Sequence, residues 1–223
     1  MLRNLGVLLA GVCLSLPAMA DVSFEVVIPE GVESYTGRVY VALSRPGGRG
    51  EPRQAMHSWF SPPPVFAVDV EGVKSGDVVT VGEGSLGHPV SIDELESGEW
   101  DAQAVLRISL DSPKAGTGAG DRYSAVTTVS VQEDDEARNA MGAVRLVPSE
   151  VVEATPFNES PRVRLLEFRS EYLSEFHGRD YMVRAGIVVP EGFDERADDA
   201  RYPVVVDVPG FGGTHRGAAR MGR

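Results

Sequence analysis

Cysteine is nearly absent from the sequence, which contains only Cys13 among its 223 residues. A single cysteine cannot form an intramolecular disulfide, so the small disulfide-stapled class of secreted domain is excluded. The fold must then be stabilised by burial of apolar side chains, and 42% of the residues are hydrophobic. Large domains bury a greater share of their surface than small ones, so we expect one large or two smaller domains.

Basic residues are also scarce, because 21 lysines and arginines face 33 aspartates and glutamates and the formal net charge is −12. Nucleic acids and anionic membranes are bound by concentrated positive charge, so neither is expected as a partner. Histidine, aspartate and glutamate nowhere cluster at the spacing of metal ligands. We therefore predict no metal site and no cofactor.

A long apolar run occurs only at the start of the chain. Arg3 precedes an apolar stretch at 5–16, and the small-residue sequence Ala-Met-Ala follows at 18–20. This pattern is typical of a secretory signal peptide, which we predict over residues 1–20. The run is shorter than the roughly 20 apolar residues of a membrane span, so no span is expected after cleavage. The predicted location is the periplasm or the medium, and loss of Cys13 on cleavage excludes thiolate chemistry.

Residues 21–146 form a series of short β-rich runs, separated by turn sequences such as Gly-Gly, Pro-Pro-Pro and Ser-Gly-Asp. A helical period of 3.6 residues is missing there, apart from a weak one at 92–96. Short strands at this spacing are typical of an immunoglobulin-like antiparallel β-sandwich, which we predict for 21–146. The predicted strands are 22–28, 39–43, 65–70, 77–81, 100–110 and 123–131.

Three segments of this region resemble functional motifs but are interpreted as loops. The glycine-rich stretch 114–121 lacks the Gly-Lys-Ser/Thr ending of a phosphate-binding loop, which indicates a flexible hairpin loop. Residues 83–88 nearly spell Gly-x-Ser-x-Gly, but Glu83 replaces the first glycine and no helical pattern follows, so Ser85 is assigned to a turn. The acidic run 132–136 lacks the spacing of a calcium loop and is predicted to be a solvated loop.

The sequence changes character after Leu146. Three prolines and the lack of any hydrophobic period indicate a linker at 147–161. Three further strands are predicted in the rest of the chain, at 163–168, 181–190 and 202–208. The last of these is almost continuously apolar, as is typical of a strand that is covered on both faces of a sheet.

Five short motifs occur in order in this last part of the chain. They are Ser-Glu-Tyr-Leu at 170–173, His-Gly-Arg at 177–179, Val-Val-Pro-Glu-Gly-Phe-Asp at 188–194, Arg-Tyr-Pro-Val-Val-Val at 201–206 and Gly-Phe-Gly-Gly at 210–213. Their order resembles the start of the esterase D type of α/β-hydrolases. Segments 66–70 and 97–106 are similar to the N-terminal β module of some secreted bacterial members. On this resemblance, 162–223 is the truncated start of an α/β-hydrolase domain.

The resemblance implies a serine esterase that hydrolyses small carboxylic ester or thioester substrates with a Ser–His–acid triad and no cofactor. In such enzymes the loop after the third strand supplies a backbone N–H to the oxyanion hole, which here would be that of Phe211 or Gly212. By the same resemblance, Gly210, Gly213 and His215 are the candidate substrate-binding residues.

The nucleophile that the resemblance requires is missing from the sequence. No Gly-x-Ser-x-Gly follows Gly213, and Pro209 stands where the family usually has a histidine. The acid and the base follow the nucleophile in this family, and His57, His88 and His177 have no serine and acid at a convincing spacing. No catalytic residue is therefore assigned, and we expect the N-terminal fragment of an exported serine esterase, inactive by itself.

A second interpretation is a complete secreted β-sandwich module that binds a glycan, a peptide or a component of the cell envelope. Trp59, Phe60 and Trp100 are the candidate stacking residues for such a ligand. The competing interpretation of these three aromatic residues is that they fill the hydrophobic core. No pattern in the sequence indicates an oligomeric state.

Overall fold

The computed structural model describes residues 22–48, 50–134, 137, 142–193, 201–210 and 212–221. The predicted signal peptide 1–20 and the candidate residue Phe211 lie outside the described residues. The chain divides into two compact units, Met1–Glu153 and Ala154–Arg223, here called unit one and unit two. The division falls inside the segment 147–161 that the sequence predicts as a linker.

The described residues of unit one form two β-sheets, and the predicted mainly β sandwich fold is confirmed. The smaller sheet contains β1 (Phe24–Val27), β4 (Val78–Val81) and β9 (Val144–Leu146). Its order is β4-β1-β9, in which β1 is antiparallel to β4 and parallel to β9. The parallel pair departs from the purely antiparallel arrangement that the sequence predicts.

The larger sheet has seven strands among the described residues of unit one. Its strands are β2 (Tyr35–Ser44), β3 (Val65–Val73), β5 (Leu86–His88), β6 (Gly98–Leu106), β7 (Arg122–Tyr123), β8 (Thr127–Val131) and β10 (Glu150–Val151). Its order is β10-β7-β6-β2-β3-β5, with β8 also paired to β6, and its pairs are antiparallel. All six predicted strands are present, although 123–131 is divided between β7 and β8.

The hydrophobic core of unit one lies between the two sheets. Side chains alternate between the two faces of a strand, so Trp100, Ala102 and Leu106 of β6 point to the same side. They belong to one buried cluster with residues of the smaller sheet such as Phe24 and Val26. Burial of each large apolar side chain stabilises the fold by roughly 1.5–3 kcal/mol, so this cluster is the main source of stability.

The other face of β6 is covered as well. Gln103 and Val105 alternate with the core residues, and both are buried. A short helix, α1 (Pro52–Ala55), lies over Gln103, whose side-chain oxygen accepts a hydrogen bond from the Arg53 backbone N–H at 3.1 Å. The glycine-rich loop lies over Val105, whose methyl carbon would be 3.2 Å from a Cβ placed on Gly116. The continuous apolar run at the end of β6 is typical of a strand that is buried on both faces.

Unit two contains a β-hairpin whose strands, β11 (Val163–Arg169) and β12 (Met182–Val188), pair antiparallel along their whole length. A helix, α2 (Glu171–His177), connects them. The Ser170 side chain caps this helix by accepting from the Leu173 N–H, and Gly178 ends it at φ +63°. Seven residues are too few to show a helical period, so hydrophobic spacing does not predict α2.

The chain after the hairpin does not form the strand predicted at 202–208, and that prediction is wrong. Residues 201–210 form neither helix nor strand, and Val204, Val205 and Val206 are 85%, 90% and 79% exposed. A strand requires a hydrogen-bonded neighbour, whatever its sequence propensity, and 201–210 pairs with neither β11 nor β12. A parallel sheet of the α/β-hydrolase type is therefore not present in the described part of unit two.

A 3-10 turn, His215–Gly217, leads into the last helix, α3 (Ala218–Met221), which packs on β12. Gly186 of β12 makes this packing possible, because a Cβ there would lie 2.4 Å from both the His215 carbonyl oxygen and the Ala218 Cβ. None of the helices in the described ranges is long and apolar enough to cross a lipid bilayer.

Candidate functional site

A groove of about 700 Å³ in unit two is the first candidate site. It lies between β12, the segment 201–210 and the turn that begins at Thr214. Its polar lining includes Arg184, Tyr202, Asp207 and His215. His215, one of the candidate substrate-binding residues, thus borders an open cavity.

The glycine sequence before His215 forms a tight turn next to this groove. The Gly213 N–H donates to the Gly210 carbonyl oxygen at 2.9 Å, and Gly212 has φ +75°. Only glycine takes that conformation readily, and a Cβ on Gly213 would lie 2.4 Å from the Cβ of Pro209. Gly210 and Gly213 therefore shape the turn rather than line the cavity, and the Gly213 N–H is already used.

The imidazole of His215 is held in one place by its neighbours. Its ring stacks on Phe157 with 5.6 Å between centroids and 25° between planes. Partial burial lowers the pKa of His215 below its usual value, and the positive charges of Arg216 and Arg184 act in the same direction. The ring is therefore neutral at pH 7 and can accept or donate one hydrogen bond toward the groove.

Two arginines of the groove were not predicted from the sequence. Arg184 lies opposite Glu167 in the hairpin register and forms an ion pair with it. Arg162 donates from Nε to the Val189 carbonyl oxygen at 3.3 Å. Their position depends on the pairing of β11 with β12, which local sequence patterns do not reveal.

The groove has the volume of a small-molecule site. No serine lines it among the described residues, and Thr214 accepts a hydrogen bond from the Arg216 N–H as a cap of the 3-10 turn. The remaining serine of interest, Ser85, lies in a turn after β4, where its Oγ accepts from the Gly82 N–H at 2.9 Å. The sequence prediction of a turn at Ser85 matches this position.

The three candidate stacking residues of unit one are separated by the fold. Trp100 is 5% exposed, its Nε1 donates to the Glu96 carbonyl oxygen at 2.9 Å, and the Arg45 guanidinium lies 3.7 Å from its ring centroid. Trp100 is thus a core residue. Trp59 and Phe60 are 75% and 93% exposed on the loop after α1, so they form the second candidate site.

The aromatic loop, defined here as residues 56–61, is anchored at its base. The His57 Nε2 lies 2.7 Å from the Ala115 carbonyl oxygen of the glycine-rich loop. Burial is the main cause that lowers the pKa of His57, with Lys114 and Arg107 acting in the same direction. A neutral His57 therefore donates to Ala115 and holds the base of the loop while Trp59 is exposed.

A polar network under α1 further fixes this base. Arg53 donates from Nη1 to the Gly116 carbonyl oxygen at 2.6 Å, pairs with Glu51 at 2.7 Å, and lies 4.0 Å over the Tyr123 ring. The Gln103 side chain donates to Glu51 at 3.1 Å, and these bonds lower the pKa of Glu51, the bond from Gln103 most strongly. The network is structural, because its polar groups bond to one another.

The remaining histidines do not form a reactive group. His88 is an exposed residue of β5, and His177 stacks on Tyr181 with 5.0 Å between centroids at the end of α2. Within the part of the chain that the structure describes, no three residues among His, Cys, Asp and Glu come together as metal ligands.

Comparisons of the chain with protein-family models, with curated proteins and with solved structures each gave no match.

Proposed function

We propose that this chain is the N-terminal part of an exported serine esterase, in which a β-sandwich module precedes the start of an α/β-hydrolase domain. One observation carries the proposal: the exposed apolar segment 201–210 leads directly into the tight turn formed by Gly210, Gly212 and Gly213. Val204, Val205 and Val206 are at least 79% exposed, and a row of exposed apolar side chains suits a surface that further protein would cover. A glycine turn directly after it suits a loop that presents backbone N–H groups.

The backbone N–H groups of this turn would have different roles in the proposed enzyme. The N–H of Gly213 is used within the turn, so Phe211 and Gly212 remain the proposed oxyanion donors. His215 lines the adjacent groove in its neutral form and would contact the substrate. The nucleophile and its base would come from outside this sequence, so the present chain should show no turnover of esters or thioesters.

The test is to sequence the coding DNA downstream of codon 223. The proposal expects the reading frame to continue through Gly-x-Ser-x-Gly and later through an acid and a histidine. The longer product should hydrolyse 4-nitrophenyl acetate or an acyl thioester, and replacing its elbow serine with alanine should abolish turnover. Absence of such a motif in every downstream frame would rule the proposal out.

The exposure of Trp59 and Phe60 favours a second function, in which the chain is a secreted β-sandwich module that binds glycans by stacking. Two large aromatic side chains are exposed on a loop whose base is fixed by His57, so stacking would cost little ordering entropy. A glycan panel titrated against the chain, Trp59→Ala and Phe60→Ala tests it. Tyr172→Ala in unit two, which removes an 87% exposed aromatic ring, is the matched control. Flat titrations with folded protein would exclude this function.

A further inference from the structure

A second groove, of about 420 Å³, lies on unit one beside strands β7 and β10. Three of its lining side chains are apolar, namely Val32, Ile108 and Val151. Arg122 is the basic residue of its lining, and its guanidinium Nη2 would be 3.5 Å from a Cβ placed on Gly31. The groove, called here the Arg122 groove, therefore combines an apolar wall with one cation.

Arg122 differs from other arginines of unit one in having no partner. Within the described residues its guanidinium has no hydrogen bond or ion pair. In contrast, four arginines of the same unit pair with carboxylates, in the pairs Arg38–Asp69, Arg45–Glu96, Arg53–Glu51 and Arg145–Glu25. Acidic residues are in excess in this chain, so an arginine left unpaired inside a groove points to a ligand from outside.

The backbone holds Arg122 firmly in place. Arg122 lies on β7, where it is opposite Leu106 of β6 on one side and Val151 of β10 on the other. Gly31, at φ +80°, has no Cβ, and a Cβ there would lie 3.5 Å from the Arg122 Nη2. A side chain on a doubly paired strand is better preorganised for binding than one on a mobile loop.

From this geometry we propose that the Arg122 groove binds the carboxylate of a small ligand with an apolar body. A guanidinium presents N–H donors in one plane and matches the two oxygens of a carboxylate. The apolar body would contact Val32, Ile108 and Val151. Glu33 also lines the groove, without an ion pair to Arg122, and its charge would oppose a second anion. The proposal concerns unit one and does not depend on the esterase function.

Titration of the purified full chain with hexanoate, and separately with hexanamide, tests the proposal. The two probes share an apolar body and differ in charge. We expect hexanoate to shift the Arg122 Nε–H resonance in ¹H–¹⁵N spectra and hexanamide to shift it far less. An acetylated apolar dipeptide with a free or an amidated C-terminus distinguishes a peptide carboxylate from a free acid as the natural source.

Three variants complete the experiment. Arg122→Gln should weaken hexanoate binding about tenfold or more, since it removes a charge-assisted pair of hydrogen bonds. Glu33→Gln leaves Arg122 intact and should strengthen binding about two- to threefold, as for removal of a nearby surface charge. Arg38→Gln removes an equal charge elsewhere on unit one and should leave binding unchanged.

Two outcomes would overturn the proposal. The first is an equal response to hexanoate and hexanamide, which would mean that the carboxylate is not recognised. The second is an equal loss of binding in Arg122→Gln and Arg38→Gln, which would mean that only net charge matters. Thermal melts of all three variants show whether they are folded, and Glu33→Gln keeps the test decisive if Arg122→Gln does not fold.

Discussion

The carboxylate of Asp121 accepts a hydrogen bond from the backbone N–H of Gly116 at 2.8 Å, inside the glycine-rich loop. The same side chain also accepts from the N–H groups of Ile108, Ser109 and Gly118, at 2.7–3.1 Å, and it is fully buried. One carboxylate thus organises a loop that the sequence predicts to be flexible. Four backbone donors that would be costly to bury alone are satisfied by this single side chain.

Replacement of Asp121 should therefore destabilise unit one strongly. In Asp121→Asn one of the two carboxylate oxygens becomes an NH₂ group, which faces backbone donors instead of accepting from them. We expect the free energy of unfolding to fall by about 2–4 kcal/mol in chemical denaturation. Glu71→Gln, at an exposed position of β3, is the matched control and should change it by less than about 0.5 kcal/mol. Equal effects of the two substitutions would contradict the role assigned to Asp121.

We predict that ionisation of the Tyr35 phenol lowers the stability of the folded state at alkaline pH. Burial raises the pKa of Tyr35 from 10.0 to about 12, and its hydroxyl donates to the Arg38 carbonyl oxygen at 2.8 Å. The folded state thus favours the neutral phenol. This contribution is complete below pH 10 and is lost as the pH rises from about 10 towards 12.

The measurement is the free energy of unfolding between pH 8 and 12 for the native chain and for Tyr35→Phe. The native chain should lose about 2 kcal/mol more than Tyr35→Phe over this range, because phenylalanine cannot ionise. Tyr172→Phe changes an exposed tyrosine and should follow the native curve. Parallel curves for the native chain and Tyr35→Phe would show that the buried phenol does not govern the alkaline transition.

The strands of unit one could be predicted because each long strand has an apolar pattern of its own. Runs such as 39–43 and 65–70 can be recognised as strands without knowing which strands they pair with. The strands β5, β9 and β10 have only two or three residues, too few to show alternation, and β10 lies within the segment predicted as a linker. Their pairing partners decide that they are strands, and pairing is not a local property of sequence.

The burial and contacts of the candidate site residues also could not be predicted from local sequence. Trp100 and Trp59 are equivalent as residue types, but the register of β6 buries Trp100 and the loop after α1 exposes Trp59. Likewise, the acceptor role of Asp121 depends on four N–H groups that are brought together by the loop. The segment 202–208 has strand propensity without a strand beside it. Patterns in sequence thus report propensity, whereas burial and pairing depend on distant parts of the chain.

Gly186 is predicted to control the packing of the last turn on the hairpin. A Cβ at this position would lie 2.4 Å from the His215 carbonyl oxygen, a distance that real structures do not show. Gly186→Ala should therefore displace His215 and Ala218 from β12 and expose residues 214–221 to faster amide hydrogen exchange. Gly217→Ala, where a Cβ would meet no atom within 4 Å, is the control and should leave exchange unchanged. Unchanged exchange in Gly186→Ala would refute the packing role.

Limited proteolysis should cut the exposed segment 201–210 before any strand of unit one. Elastase cleaves after small apolar residues in exposed, unpaired backbone, and Val204, Val205 and Val206 are exposed and lie outside any helix or strand. Val78 is also 49% exposed, but its backbone is paired in β4 and should resist cleavage. We expect a stable product that contains 22–146, identified by mass spectrometry. A first cut in unit one, with 201–210 intact, would contradict this prediction. It would mean that another segment covers Val204, Val205 and Val206 in solution, because exposed and unpaired backbone is accessible to the protease.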